Sequence, residues 1–181
     1  MLLNNYIATP LSREKIRALT LIIRKTLTLE KEICFPIVEM LEAMPDLFIE
    51  NNFTFQVVSD VELPQSIQGD VDISNHYMRI KESVYDGACI GKGRDRFSIA
   101  HEIGHYILLN AAGISLQRNI SNRKVEAFEC PEWQADCFAG ELLVPRHLVQ
   151  GLDVNEIAKK CKVSLAAAHV QLQSSKNKRK W

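Results

Sequence analysis

The residues best suited to chemistry form a His-Glu-x-x-His motif at positions 101–105. Residues four apart share one face of a helix, so His101 and His105 can bind one metal ion. Glu102 lies beside them and can take a proton from a water molecule that the metal activates. Zinc is the expected ion, because it accepts imidazole nitrogen and keeps one position open when three protein groups bind it.

The residues around this motif indicate a buried helix. The apolar positions that flank the two histidines are Phe97, Ile99, Ala100, Ile103, Ile107 and Leu108. Two histidines and a glutamate are costly to bury on such a helix unless they are paired or bind a metal. The alternative is a chance match on a surface helix that binds nothing, and the apolar flank favours metal binding instead.

A catalytic zinc site needs a third protein ligand, and residues 129–145 offer two candidates. Glu132 and Asp136 are four apart, so one helix can supply a metal ligand and a carboxylate that accepts the outer ring N–H of a ligating histidine. Glu129 is the rival ligand, but it precedes Pro131, a residue typical of a first helical turn. We therefore prefer Glu132. No His-x-x-Gly-x-x-His extension follows the first motif, which argues against a three-histidine site.

Residues 96–105 and 132–145 together resemble the ImmA/IrrE family of metallopeptidases. The second segment is similar to the family's Glu-x-x-Ala-Asn/Asp-x-Phe-Ala-x-x-Leu-Leu-x-Pro stretch. The clear likeness spans residues 75–150. The chain has Asp136 where many relatives have asparagine, and Val144 where methionine is common. Either residue at position 136 can accept the histidine N–H.

This resemblance implies a small bacterial or phage zinc endopeptidase that acts in the cytoplasm. Members of the family cut a transcriptional repressor, commonly a helix-turn-helix protein encoded next door. The cut switches on genes of a mobile element or of a stress response. Carried over by position, the metal ligands are His101, His105 and Glu132, and Glu102 is the catalytic base.

Two other functions are compatible with the sequence. One is a zinc-containing regulator that binds a partner or DNA without proteolysis, because the end of the chain is similar to a helix-turn-helix. The other is a toxin–antitoxin or phage-defence component with the same fold. An adjacent repressor gene would favour the protease over both.

Composition suits one domain with a small appended module. We expect a zincin-like metallopeptidase domain at residues 1–150 and a small helical tail with a basic end at residues 151–181. The 181 residues have a formal net charge of zero, so no overall basic field favours nucleic acid. No stretch is apolar enough to cross a membrane, and residues 1–13 lack a signal pattern, so we expect a cytoplasmic protein.

The five cysteines match neither a disulfide framework nor a thiolate zinc site, because their number is odd and no Cys-x-x-Cys occurs. Cys130 and Cys137 flank Glu132 and could approach the metal. Packing as small apolar core residues is the favoured interpretation.

The hydrophobic periodicity predicts an α+β fold with N-terminal helices, a small three-stranded sheet, the motif helix, the glutamate helix and a helical tail. The expected elements are a helix from Thr9-Pro10 to residue 27, a helix at 37–44 ended by Pro45, strands at 53–58, 70–73 and 77–81, and a Gly-Lys-Gly loop at 91–93. The strand at 77–81 is our candidate for an edge strand that pairs with an extended substrate, although an ordinary sheet strand is equally compatible.

The end of the chain predicts two short helices, at 154–161 and 164–172, with Asp153 and Ser164 as N-caps. The spacing is similar to a helix-turn-helix, but Lys162 replaces the usual turn glycine and the second helix is poor in arginine. Packing or partner docking is therefore favoured over DNA binding. The last residues form a solvated basic tail: Lys176, Lys178, Arg179 and Lys180.

A donor for the oxyanion of the tetrahedral intermediate is the one catalytic group that the sequence leaves unassigned. Five side chains have suitable chemistry, and ordinary packing is the default for each: His76, Tyr77, Tyr106, His147 and His169.

Overall fold

The computed structural model describes residues 6–113, 115–118 and 124–176. Its elements in chain order are β1 (Tyr6–Ala8), α1 (Arg13–Thr26), α2 (Ile37–Leu47), β2 (Thr54–Val58), β3 (Gly69–Asp72), β4 (Tyr77–Lys81), α3 (Glu82–Cys89), α4 (Gly93–Tyr106), β5 (Leu116–Arg118), α5 (Pro131–Leu143), α6 (Val154–Cys161) and α7 (Leu165–Lys176). Short 3-10 turns occupy Ile49–Asn51 and Ala127–Glu129, and a π-helical turn, Ile107–Ala111, follows α4. The basic residues expected beyond position 176 lie outside the described residues.

The predicted α+β architecture with a three-stranded sheet is confirmed. The sheet has the order β2-β4-β3, in which β2 pairs parallel and β3 pairs antiparallel with the central β4. Strands β1 and β5 form a separate antiparallel pair, which the sequence did not predict. Helices α4 and α5 pack on each other, and they carry the two motifs.

The prediction that the first helix begins at Thr9-Pro10 is wrong, because α1 begins at Arg13. Ser12 caps the helix through its side-chain oxygen. The preceding residues are extended instead, and the backbone N–H of Thr9 donates to the carbonyl of Ser115 at 3.0 Å. A hydrogen-bonded strand partner from a distant part of the chain thus overrides the local helix-start signal.

The prediction that Pro45 ends the second helix is also wrong. Helix α2 continues to Leu47, and the N–H of Phe48 still donates to the carbonyl of Met44 at 2.9 Å. Proline lacks the ladder N–H and crowds the carbonyl four residues earlier, but both effects act on the turn before it, and the residues after Pro45 still close the last turn of the helix.

The predicted strand at 77–81 exists as β4, but its expected position at the edge of the sheet is wrong. Strand β4 pairs with β2 on one side and with β3 on the other, so it has no free edge for a substrate. The two edge strands are β2 and β3. Helix α3, which the sequence did not predict, follows β4 directly, and Gly91 then makes the turn into α4 with a φ of +83°.

The close packing of α4 against α5 depends on Gly104, the fourth residue of the motif. A Cβ atom at this position would lie 3.0 Å from the ring of Phe138 and 3.3 Å from the carbonyl oxygen of Ala135. The missing side chain therefore lets the two helices approach, and that approach brings the glutamate of α5 to the histidines of α4.

Helix α6 has the predicted bounds, whereas α7 runs to Lys176, four residues beyond the predicted end at position 172. Both expected caps are present. The side chains of Asp153 and Ser164 each accept a backbone N–H from the first turn of the helix that follows. Lys162 adopts the left-handed conformation usual for glycine, with a φ of +50°. The buried Arg96 of α4 donates to the carbonyl of Lys162 at 3.1 Å and to that of Phe35 at 2.6 Å, so the turn between α6 and α7 is tied to the motif helix.

Candidate metal centre and cleft

Three side chains from two helices converge on one point. The Nε2 atoms of His101 and His105 lie 3.0 Å apart, and Oε2 of Glu132 lies 3.3 Å from the first and 3.5 Å from the second. Ligands that bind one zinc ion tetrahedrally at about 2.0–2.1 Å are about 3.3 Å apart. The donor set and its spacing therefore fit a single metal ion.

The sequence explains why these atoms meet. His101 and His105 are one helical turn apart on α4, and Glu132 lies in the first turn of α5, directly after Pro131. The exposed fractions of the three side chains are 18% for His101, 7% for His105 and 32% for Glu132. The cluster is thus largely enclosed, but the carboxylate side remains open to a substrate.

Asp136 lies behind the cluster, one turn after Glu132. Its Oδ1 atom is 2.8 Å from Nδ1 of His101. A carboxylate at that position accepts the Nδ1 proton, so the lone pair of Nε2 is directed at the other two donors.

The charges around the cluster favour a bound cation. Burial alone would lower the pKa of His101, but hydrogen bonds with Asp136 and Glu132 outweigh it and raise the pKa to about 10. Burial would raise the pKa of Glu132, yet its contacts with the two histidines lower it. The pKa of His105 is lowered by burial. The neighbouring carboxylates therefore favour positive charge at the cluster, which a proton on His101 supplies in the metal-free site and which a metal ion would have to displace on binding.

Glu102 lies beside the cluster and beneath the edge strand. A Cβ atom at Gly69 of β3 would be 2.8 Å from the carbonyl oxygen of Arg79 and 3.1 Å from Cγ of Glu102, so the missing side chain lets β3 pass close to Glu102. Burial raises the pKa of Glu102 to about 7. Among the described residues its carboxylate has no hydrogen-bond or ion-pair partner, which leaves it available for proton transfer.

A cleft of about 920 Å³ runs past these residues. Residues 66–74, which include β3, form one wall, and α4 and α5 form the other. Its apolar lining consists of Ile67, Val71, Ile73, Phe97, Leu109 and Leu116. The lining of the cleft thus combines strand β3, the donor cluster and apolar side chains.

Comparison with known sequences identifies the family. A family model described as the IrrE N-terminal-like domain, a peptidase family, matches residues 74–173. The chain belongs to this family. The match includes both motif helices and most of the two helices that follow, and it supports a metallopeptidase with a protein substrate. No curated protein and no solved structure matches the chain.

The alternative ligands considered from the sequence, Glu129, Cys130 and Cys137, do not belong to the cluster. Glu129 lies in the turn before α5, and its carboxylate accepts the backbone N–H of Glu126 at 3.3 Å. Cys137 is buried in the core and Cys130 is half-buried, and neither belongs to the group of converging donors found in the described part of the chain. Within that same part, no helix is long and apolar enough to cross a membrane.

Of the five side chains considered as oxyanion donors, only Tyr77 lines the metal cleft. His76 contacts the hydroxyl of the buried Tyr106 at 3.1 Å, and His147 contacts the carbonyl of Glu30 at 3.0 Å. His169 contacts Gln173 on the surface of α7.

Sequence reasoning missed a cross-strand ion pair that lines the cleft. Arg79 of β4 donates twice to Asp70 of β3, at 2.9 and 2.6 Å. Both residues are on the polar face of their strands, and opposite charges on such positions are the signal that could have indicated their pairing.

Proposed function

We propose that this chain is a zinc-dependent endopeptidase in which His101, His105 and Glu132 bind the metal and Glu102 is the catalytic base. The observation that carries the proposal is the convergence of three donor atoms at 3.0–3.5 Å, beside the carboxyl group of Glu102, which has no hydrogen-bond or ion-pair partner among the described residues. Family membership supports the metallopeptidase class.

The chain's own residues account for the proton transfers of peptide hydrolysis. Zinc at this position would polarise the substrate carbonyl and lower the pKa of water to about 7. Glu102 accepts the proton of the attacking water and then gives it to the leaving amine. Asp136 fixes the tautomer and the orientation of His101 throughout.

The substrate lies along the free edge of β3 in this proposal. Strand β3 uses one edge to pair with β4, and its other edge borders the cleft beside the metal cluster. An extended peptide can add to such an edge as a further strand through backbone hydrogen bonds. Glu102 then lies beneath the strand at which the scissile peptide is held.

The proposed substrate is a transcriptional repressor of the helix-turn-helix type encoded close to this protein. The resemblance of the two motifs supports this substrate, and a cleft of about 920 Å³ lined by β3 is compatible with a peptide segment. Cleavage would relieve repression of mobile-element or stress genes, and a repressor substrate implies that the peptidase acts in the cytoplasm. We assign the catalytic role to residues 1–150 and a docking or packing role to residues 151–181.

The direct test is incubation of the purified, zinc-loaded protein with the repressor encoded beside it, followed by intact-mass analysis. We expect two fragments whose masses sum to the repressor plus one water, and no fragments when a chelator is present. An intact repressor that binds the protein would contradict proteolysis and favour a non-cleaving regulator. An intact repressor that does not bind would contradict the choice of partner.

A further inference from the structure

A second cavity, of about 430 Å³, lies between α1 and the segment that follows α5. One face of α1 forms its first wall, through Arg17, Thr20, Leu21, Arg24 and Lys25. Residues 145–148 and 150 form the facing wall, and residues 30–31 contribute at one end. None of the residues that line this cavity also lines the metal cleft. The cavity is therefore a separate feature of the surface.

The lining of the cavity is strongly basic. It contains five Lys and Arg side chains and two Glu side chains, so its formal net charge is +3: Arg17, Arg24, Lys25, Lys31 and Arg146 against Glu30 and Glu141. Glu141 is buried and already neutralised, because Arg17 binds both of its oxygens, at 2.8 and 3.0 Å, and Arg13 binds one at 3.1 Å. Arg24, Lys25 and Lys31 remain beside Glu30, so these lining residues keep an excess of positive charge.

Arg24 is the most unusual of these groups, because it is only 1% exposed and is not paired with an acid. Its guanidinium donates to the carbonyl oxygen of Leu142 at 2.6 and 2.9 Å, and to those of Leu29 and Glu32 at 3.2 and 2.6 Å. Burial lowers its pKa to about 10, so it stays charged at neutral pH. The ring of Phe35, 4.9 Å from the guanidinium carbon, also contacts this charge, but no carboxylate forms an ion pair with it among the described residues. A buried positive charge without a paired acid attracts an anion to its vicinity.

The cavity also has exposed lysines at its rim and apolar side chains on its walls. Lys25 and Lys31 are exposed at the cavity, and neither forms an ion pair within the described part of the chain. Between the charged groups the walls are mainly apolar and include Leu21, Pro145 and Leu148. A ligand that suits both features has a negative head group and an apolar body.

We propose that this cavity binds a small amphipathic anion, with a carboxylate or phosphate head beside Lys25 and Lys31 and an apolar body against Leu21 and Leu148. The volume falls in the range of small-molecule sites, about 300–1,000 Å³. The cavity borders α5 at Glu141, nine residues and roughly 14 Å along the helix from Glu132. It therefore lies at the far end of the helix that also carries the third metal-ligand candidate. This site does not depend on the proposed peptidase activity.

Calorimetric titration of the full-length protein with four eight-carbon probes tests the proposal: octanoate, octyl phosphate, octanol and octylammonium. We expect saturable one-to-one binding of at least one of the two anions, at least about tenfold tighter than that of octanol or octylammonium. The anion that binds more tightly identifies the head group. If octanol binds as tightly as the anions, or if neither anion binds, the proposal is wrong.

Charge-reversal variants locate the binding. The exposed pair Lys25→Glu and Lys31→Glu, made together, should weaken anion binding about tenfold. Lys15→Glu changes the same charge on an exposed residue of α1 that does not line the cavity, so it should bind as the wild type does. His101→Ala should also bind the anion normally, because the cavity does not include the metal centre. Binding of the probe to the metal itself would instead be lost in this variant. Equal binding by the double variant and the Lys15→Glu protein, or loss of binding in His101→Ala, would overturn the assignment.

Discussion

The carboxylate of Asp136 on α5 contacts Nδ1 of His101 on α4 at 2.8 Å. Asp136 lies one helical turn after Glu132, which supplies a converging donor from the same helix. This contact joins the two motif helices at the point where a histidine must be held in one tautomer. A ligand histidine that loses such a partner becomes a weaker and less well oriented base.

Removal of this contact should weaken metal binding without abolishing it. We predict that Asp136→Ala lowers zinc affinity about ten- to a hundredfold. Asp136→Asn should stay close to the wild type, because an amide oxygen also accepts the imidazole N–H. Competition with a chromophoric chelator measures both affinities. Wild-type affinity in the alanine variant would show that Asp136 does not support His101.

Alanine variants of Glu132 and its neighbour Glu129 test which of the two glutamates is the third metal ligand. Glu132→Ala and His101→Ala should each lose the bound zinc, because two remaining donors are too few for a stable site. Glu129→Ala is the matched control and should keep one zinc per chain, since its carboxylate accepts a backbone N–H in the turn before α5. Elemental analysis of purified protein decides. Full zinc in Glu132→Ala would refute the assignment.

Arg96 should contribute more to the free energy of unfolding than Arg94, the other arginine of α4. Its removal leaves the buried carbonyl of Phe35 and the partly buried carbonyl of Lys162 without this donor, at a cost of up to about 1–3 kcal/mol each. We predict that Arg96→Ala lowers the free energy of unfolding by roughly 2–5 kcal/mol. Arg94→Ala, an exposed residue of the same helix, should change it by less than about 0.5 kcal/mol. Urea unfolding measures both, and equal effects would refute this role for Arg96.

The C-terminal helices should not recognise DNA. Gln171 of α7 fills the space above Gly140 of α5, where a Cβ atom would collide with its side chain, and residues 165–174 contain neither lysine nor arginine. We expect only weak binding to the operator of the protein's own locus, independent of sequence and abolished near physiological salt. Fluorescence anisotropy measures it. Tight, sequence-specific binding that disappears on deletion of residues 153–175 would contradict this expectation.

The parts of the molecule that short-range spacing determines could be predicted from the sequence. The positions of His101 and His105 on one helix face depend only on the helical repeat. The cap residues Asp153 and Ser164 could be predicted for the same reason, because each bonds within its own first turn. Glu132 could be chosen as a candidate because it shares a helical face with Asp136.

The features that escaped prediction depend on contacts between distant residues. Thr9 and Ser115 are 106 positions apart, so no local pattern indicates that β1 and β5 pair. The central position of β4 depends on which strands flank it, whereas alternation shows only that a strand exists. Gly69 offered no motif, and its role became visible only where β3 passes over Glu102.

The central claim is that Glu102 moves the proton in peptide hydrolysis, and the rate of repressor cleavage by Glu102→Gln tests it most directly. The substitution keeps the shape of the side chain and leaves the proposed ligands in place. We predict full zinc content and a cleavage rate about a hundred- to ten-thousandfold below that of the wild type. A zinc-loaded Glu102→Gln protein that cuts the repressor at the wild-type rate would contradict the account.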